Sequence, residues 1–185
     1  NNDDLLLVDA GCEYEMYAAD ITRTFPVSGK FSDEQLAIYK VVLDAMNAAI
    51  DMVKPGNHIM QPQEISEKVI TKGLVKLGLL DGDPEELHKS GEYKEFYMHK
   101  IGHWLGLDVH DAGDYVEGEE YMKFKPGMIT TIEPGIYISS SMDVDDKWKG
   151  IGIRIEDDIL VTKDGNENLT KKVPSDPEEI ESLMS

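Results

Sequence analysis

Five ionisable residues are embedded in apolar runs that read as core strands, and this placement restricts the folds open to the chain. Asp9 follows Leu5-Leu6-Leu7-Val8, and Asp20 lies between Ala19 and Ile21. His103 is set within Ile101-Gly102-His103-Trp104-Leu105. Glu133 ends the run Met128-Ile129-Thr130-Thr131-Ile132, and Glu156 follows Ile153-Arg154-Ile155. An isolated buried carboxylate is costly to ionise and takes up a proton instead. Four carboxylates and an imidazole become tolerable together when they surround two divalent cations. Oxygen and nitrogen donors without thiolates favour manganese, cobalt or zinc over a structural zinc cluster.

Each residue alone has a plainer explanation. Asp9 before Ala10-Gly11 suits a turn, and Asp20 could cap a bulge. A lone His103 is more often a satisfied core histidine. Glu133 before Pro134-Gly135 could end a strand, and Glu156, with Arg154 nearby, could belong to a salt-bridged edge strand. All five recurring in the same context make the joint reading the stronger one.

Periodicity places the elements. Leu5 to Tyr14 reads as a buried strand, followed after Glu15-Met16 by a second through Thr22-Arg23-Thr24-Phe25, with Pro26 and Gly29 closing the hairpin. Ser32 and Gln35 form a capping-box start for a helix carrying Leu36, Tyr39, Val42, Leu43, Met46 and Ile50, stopped by Pro55-Gly56. A second helix is expected from Pro62-Gln63-Glu64 to about Gly78, with Ile65, Val69, Leu74 and Leu77 inward. After Gly91 short strands are expected over Met98–His110, Met128–Ile138 and Ile151–Thr162, then a terminal helix capped at Ser175-Asp176-Pro177. Helices set against a sheet of distant strands predict an α+β fold.

Charge narrows the partners. The 37 acidic and 18 basic residues leave a net charge of −19. Such a surface repels phosphate backbones, so no nucleic-acid partner is expected. Two divalent cations would offset only four of those charges, so most of the acidity is solvated surface. No apolar run is long enough to span a bilayer, and no membrane partner is expected. The single cysteine, Cys12, cannot form an internal disulfide, which suits a reducing cytoplasm; among apolar neighbours it reads as a small buried hydrophobe. The opening Asn1-Asn2-Asp3-Asp4 runs straight into Leu5, which reads as a chain entered in mid-domain.

The ordered segments Val8-Asp9-Ala10-Gly11-Cys12-Glu13-Tyr14, Ala19-Asp20-Ile21-Thr22-Arg23-Thr24-Phe25, His103-Trp104-Leu105-Gly106-Leu107-Asp108-Val109-His110-Asp111, Thr131-Ile132-Glu133-Pro134-Gly135 and Gly152-Ile153-Arg154-Ile155-Glu156-Asp157 resemble the creatinase/aminopeptidase (pita-bread) metallopeptidase family. Arg154, two residues before Glu156, resembles the prolidase and Xaa-Pro aminopeptidase branch. The resemblance implies two divalent ions, Mn2+ in the first place, with Co2+ or Zn2+ as alternatives. It assigns Asp9 to one metal, Asp20 and Glu156 as bridges, and His103 and Glu133 to the other. Thr22, Thr131 and Arg154 are implied to hold the carboxylates. The implied catalytic set is His99, His110, Glu133 and Arg154, with His99 and His110 also facing substrate. His99 and His103 could pair on a helix, but the Glu expected beside the first His is replaced by Lys100. Lys100 also departs from the family pattern.

The implied reaction is hydrolysis of the bond before proline in a peptide with proline second, with Glu133 moving the proton of water. Xaa-Pro dipeptidase and a noncatalytic pita-bread peptide-binding domain are the alternatives. Residues 1–185 are then the C-terminal part of a pita-bread fold, helices packed on a curved, mostly antiparallel sheet. The upstream half, another histidine and an N-terminal domain are expected to be missing, leaving the chain nearly inactive alone. The full-length parent is expected to be a homo-oligomer.

Overall fold

A computed structural model describes residues 1–184. The first hairpin is interrupted rather than continuous: β1 (Leu5–Asp9), β2 (Glu13–Tyr14), β3 (Tyr17–Ala18) and β4 (Thr22–Pro26) pair antiparallel as β1 with β4 and β2 with β3. Asp9 stands opposite Thr22, and the two-residue turn falls on Glu15 and Met16, both at positive φ. The single strand expected over Leu5–Tyr14 breaks at Ala10–Cys12. Gly11 lies so close to the facing chain that a Cβ there would sit 1.6 Å from the Ala19 carbonyl oxygen.

β1 is not buried as expected. It pairs only with β4, and its outward residues Leu6 and Val8 are 54% and 38% exposed. Cys12 is exposed as well, because it lies at the break and not in a covered strand.

Ser32 closes the expected capping box with Gln35 and opens α1 (Asp33–Ile50), which buries Ile38, Tyr39, Val42 and Met46. α2 (Gln61–Lys76) follows, turned from the expected face. Ile70 and Leu74 are buried beside the polar Gln63, Ser66 and Thr71, while Ile65, Val69 and Leu77 are only half-buried. α3 (Pro84–Ser90) was not expected, although Asp83 accepting from Glu85 and Glu86, with Pro84 behind it, is a clear start signal.

β5 (Val116–Glu117) and β6 (Glu120–Tyr121) form a small exposed hairpin. The expected strand over Met98–His110 is instead a loop. It is laid along β7 (Ile129–Ile132) by hydrogen bonds from Leu105 N to Ile129 O, Thr131 N to His103 O and Glu133 N to Ile101 O. Met128–Ile138 and Ile151–Thr162 each contain two strands. They are β7 and β8 (Gly135–Tyr137), broken at Glu133-Pro134, and β9 (Gly152–Arg154) and β10 (Asp157–Val161), broken at Ile155-Glu156. β8 pairs with β9, and β10 pairs with β7 and with β11 (Asn166–Asn168), all antiparallel. α4 (Pro177–Met184) begins where Asp176 accepts from Glu178 and Glu179.

α1 packs on α2 and against β7, β8 and β9, so the core lies between its apolar stripe and Ile132, Ile136, Ile138, Ile153 and Ile155. This is the expected α+β arrangement. Among the described residues, no helix is long and apolar enough to cross a membrane.

Candidate metal centre

Four of the five singled-out residues stand at a strand end or a strand break, and His103 stands in a loop. Asp9 ends β1, Asp20 lies between β3 and β4, and His103 lies in the loop against β7. Glu133 falls between β7 and β8, and Glu156 between β9 and β10. Inside a regular strand, side chains alternate faces and the ladder holds the backbone. A break frees the side chain to turn while the flanking strands hold its base.

The five converge. Ligand atoms of Asp20, His103 and Glu156 all lie within 4.8 Å of one another. His103 Nε2 is 3.4 Å from Asp20 Oδ2 and 3.5 Å from Glu133 Oε1. The Asp9 carboxylate faces that of Asp20 and is held from the other side by Arg154 Nη2.

The neighbours place these groups. Thr22 Oγ1 donates to Glu156 Oε2 at 2.6 Å, and Arg154 Nε donates to Thr22 Oγ1 at 3.2 Å. Thr131 Oγ1 donates to Glu133 Oε1 at 3.4 Å and accepts from the His103 amide at 3.1 Å. Asp158 Oδ2 accepts from the Asp20 amide at 3.2 Å. Thr22, Thr131 and Arg154 thus donate to the carboxylates of Glu156, Glu133 and Asp9 in turn.

Burial governs the protonation of the cluster's carboxyls. Burial, then the charge of Glu133, pushes Glu156 up to about 8 despite its bond from Thr22. Burial pushes Glu133 up to about 7, opposed by Arg154 and reinforced by Asp20. Asp20 is raised by burial and then by its hydrogen bond with Asp9, and burial takes Asp158 to about 7. His103 Nδ1 lies 3.0 Å from the Trp104 carbonyl oxygen, which can only accept. In the neutral ring that bond puts the proton on Nδ1 and leaves the Nε2 lone pair facing carboxylate oxygens. Bare acceptors turned towards one another need a cation between them, so the donor set fits divalent metal.

His99 and His110 border the cluster. His99 Nε2 is 2.8 Å from Tyr137 Oη and its Nδ1 is 2.8 Å from the Lys100 carbonyl oxygen, while burial lowers its pKa. The exposed His110 ring sits 4.2 Å from that of His103, at 65°. Tyr137 was missed by sequence reasoning. It joins His99 to Arg154, whose Nη1 donates to the phenol oxygen at 3.4 Å. Gly135 makes room for it, since a Cβ there would lie 2.5 Å from Tyr137 Oη. The Gly-Ile-Tyr spacing puts both on one face of β8 and was the available signal.

Asp9, Cys12, Asp20, Leu107 and Val109 line an open pocket of about 430 Å³, so the centre is reached from solvent. A larger groove, about 570 Å³ between α1 and α2, contains none of the five.

The family described as metallopeptidase family M24 matches residues 1–163. This chain belongs to metallopeptidase family M24. The M24 chain is 52% identical over 185 residues to the Xaa-Pro aminopeptidase of Haemophilus influenzae, covering 100% of this chain and 43% of that protein. It is 50% identical over 181 residues to the Escherichia coli Xaa-Pro aminopeptidase, covering 98% and 41%. Its fold matches Pseudomonas aeruginosa aminopeptidase PepP with a TM-score of 0.97 at 55% identity, covering 98% of this chain and 42% of that one. The antiparallel strands and packed helices are thus those of the pita-bread fold. The chain spans about two fifths of the length of the curated relatives it matches.

Proposed function

We propose that this chain carries the two-metal centre of an Xaa-Pro aminopeptidase, which cleaves the bond between an N-terminal residue and a following proline. The observation that carries this reading is the convergence of Asp20, His103 and Glu156, whose ligand atoms lie within 4.8 Å of one another, with Glu133 3.5 Å from His103 Nε2 and Asp9 facing Asp20. Asp9, Asp20, His103, Glu133 and Glu156 would hold two divalent ions, Mn2+ by preference and Co2+ or Zn2+ as alternatives. Such ions supply an acidified water and positive charge for the scissile carbonyl oxygen.

The remaining roles belong to the protein's own groups. Glu133, 3.5 Å from His103 and bonded by Thr131, would take a proton from the attacking water and return it to the departing proline nitrogen. His110, exposed beside His103, faces the approaching peptide and donates to the carbonyl as negative charge develops. Burial keeps His99 neutral, and its bond to Tyr137 holds it at the substrate side. Arg154 steadies Asp9 and Thr22 together.

Half-exposed Asp9 and the open pocket beside it leave one wall of the centre wet, so the chain alone is nearly inactive. The lone exposed Cys12 and the acidic surface support a cytoplasmic protein without nucleic-acid partners, and the bare face of β1 supports assembly with further protein surface.

The test is metal content after dialysis against manganese, by atomic emission. Two ions per chain support the centre; none, or many weakly held, would refute it. Completing the chain with the rest of a relative's fold and assaying an Xaa-Pro tripeptide beside the dipeptide tests the substrate. Cleavage of the dipeptide alone would make the protein a dipeptidase.

A further inference from the structure

One buried polar side chain of α2 reaches into the centre from behind. Gln63 is only 8% exposed, and its Oε1 accepts from the Ile101 amide at 2.6 Å. The Ile101 carbonyl in turn accepts from the Glu133 amide at 2.7 Å. Ile101 is two residues before His103 and two after His99. A single residue thus ties the backbone of Glu133 and the loop of both histidines to one side chain on a rigid helix.

The orientation of that side chain is determined at both ends. The Ile101 amide can only donate, so Gln63 must present its oxygen there. Its Nε2 donates to Glu67 Oε1 at 2.9 Å, and Glu67 Oε2 lies 3.1 Å from His88 Nε2. Glu67, one turn further along α2, therefore selects the amide rotamer that serves the loop. Backbone bonds at Ile101, His103 and Leu105 hold the loop to β7 on one side, and the Gln63 bond ties the Ile101 amide to α2 on the other.

We propose that Gln63, oriented by Glu67, is a positioning residue that sets His103 and Glu133 at the metal centre through Ile101. The inference rests on the two-metal reading for its consequence, and on the hydrogen bonds alone for its mechanism. Supporting groups of this kind typically change metal affinity by about 10- to 100-fold. Space filling would be served equally well by a methionine of matching length.

Two variants of the 185-residue chain test this. Gln63→Met removes both bonds. The exchange Gln63→Glu with Glu67→Gln keeps an acceptor for Ile101 and a donor–acceptor pair within α2. Hydrogen exchange at the Ile101 amide, relative to that of Met46 in α1, and manganese affinity by calorimetry are the readouts. We expect Gln63→Met to speed relative exchange at Ile101 and weaken manganese binding, each by about tenfold or more, and the exchanged pair to keep both within about threefold. Unchanged Ile101 protection in Gln63→Met, or loss in the exchanged pair equal to that in Gln63→Met, overturns the proposal. Should Gln63→Met fail to fold, the exchanged pair decides: retained protection supports the proposal and lost protection overturns it. If the unsubstituted chain binds no manganese, the two-metal reading fails by itself, and the exchange measurement still decides whether Gln63 sets the loop.

Discussion

Glu156 and Glu133 show most directly what a residue gains from its setting. In an unfolded chain their carboxyls titrate at about 4, and in the metal-free fold burial, with repulsion from neighbouring carboxylates, takes them to about 8 and about 7. Between those limits the folded chain binds more protons than the unfolded one. The stability these groups contribute is therefore fully present below about pH 4 and is lost as pH rises through about 7 and then about 8. Urea titrations of metal-free chain at pH 5 and pH 8.5 should show the lower midpoint at pH 8.5, and divalent metal should reverse that order. Metal must displace those protons, so its affinity falls as pH drops from 8 to 6. Calorimetry in buffers of different ionisation enthalpy should register the release. Substitution separates the roles further. Asp20→Ala and Glu156→Ala should abolish tight metal binding, and His103→Ala should leave about half of it, because His103 is assigned to one of the two ions. His110→Ala should retain the metal and lower turnover in the completed enzyme. Metal loss in His110→Ala matching that in His103→Ala would mean that the two roles are exchanged.

Among the elements, the centre depends on how strands stop. The loop through His103 lies against β7 at a distance only glycine permits, since a Cβ on Gly102 would fall 2.0 Å from the Thr131 carbonyl oxygen. Gly102→Ala should push the loop outward and weaken metal binding by about tenfold while the circular dichroism of the helices is unchanged. Behind the break at Glu156, Arg23 joins β4 to β10. Its guanidinium donates to Asp157 Oδ1 at 2.7 Å and to the carbonyls of Thr22, Glu156, Val173 and Pro174. Both partners of this ion pair are 3% exposed or less. Arg23→Met strands the Asp157 charge, and a loss of about 3–5 kcal/mol is expected in chemical denaturation. A loss below about 1 kcal/mol would show that the clamp is dispensable.

For the molecule as a whole, one side is covered by helices and the other presents apolar side chains to water. α1, with α2 packed on it, covers one face of the strands, while β1 presents Leu6 and Val8, and the adjoining hairpin presents Tyr14, Met16 and Tyr17, to water. Exposed apolar residues grouped in this way promote association. Sedimentation of the 185-residue chain should show self-association that rises with concentration, and Leu6→Lys with Val8→Lys should suppress it. The same openness leaves the ions' field unshielded from water, so the chain assayed with excess manganese on an Xaa-Pro tripeptide should turn over far more slowly than the completed enzyme. Comparable turnover would show that the centre works without further walls.

The α+β class, the capping box at Ser32, the terminal helix and the five ionisable residues were all legible in the sequence. Each is declared by local chemistry: a cap by its own hydrogen bonds, a helix by its apolar period, and a buried charge by its apolar neighbours. Whether those five meet was a matter of tertiary structure, because Asp9 and Glu156 are brought together by the pairing of distant strands and by the Arg154–Thr22 bridge. Strand breaks at Glu133 and Glu156 look like continuous apolar runs until the partner strands are known. The exposure of β1 and Cys12 could not be read from apolar composition, which records the wish for burial and not the presence of a cover. Gln63 and Tyr137 lay hidden for the converse reason. A polar residue in a helix or short strand signals nothing until folding brings it a buried amide or a histidine to hold.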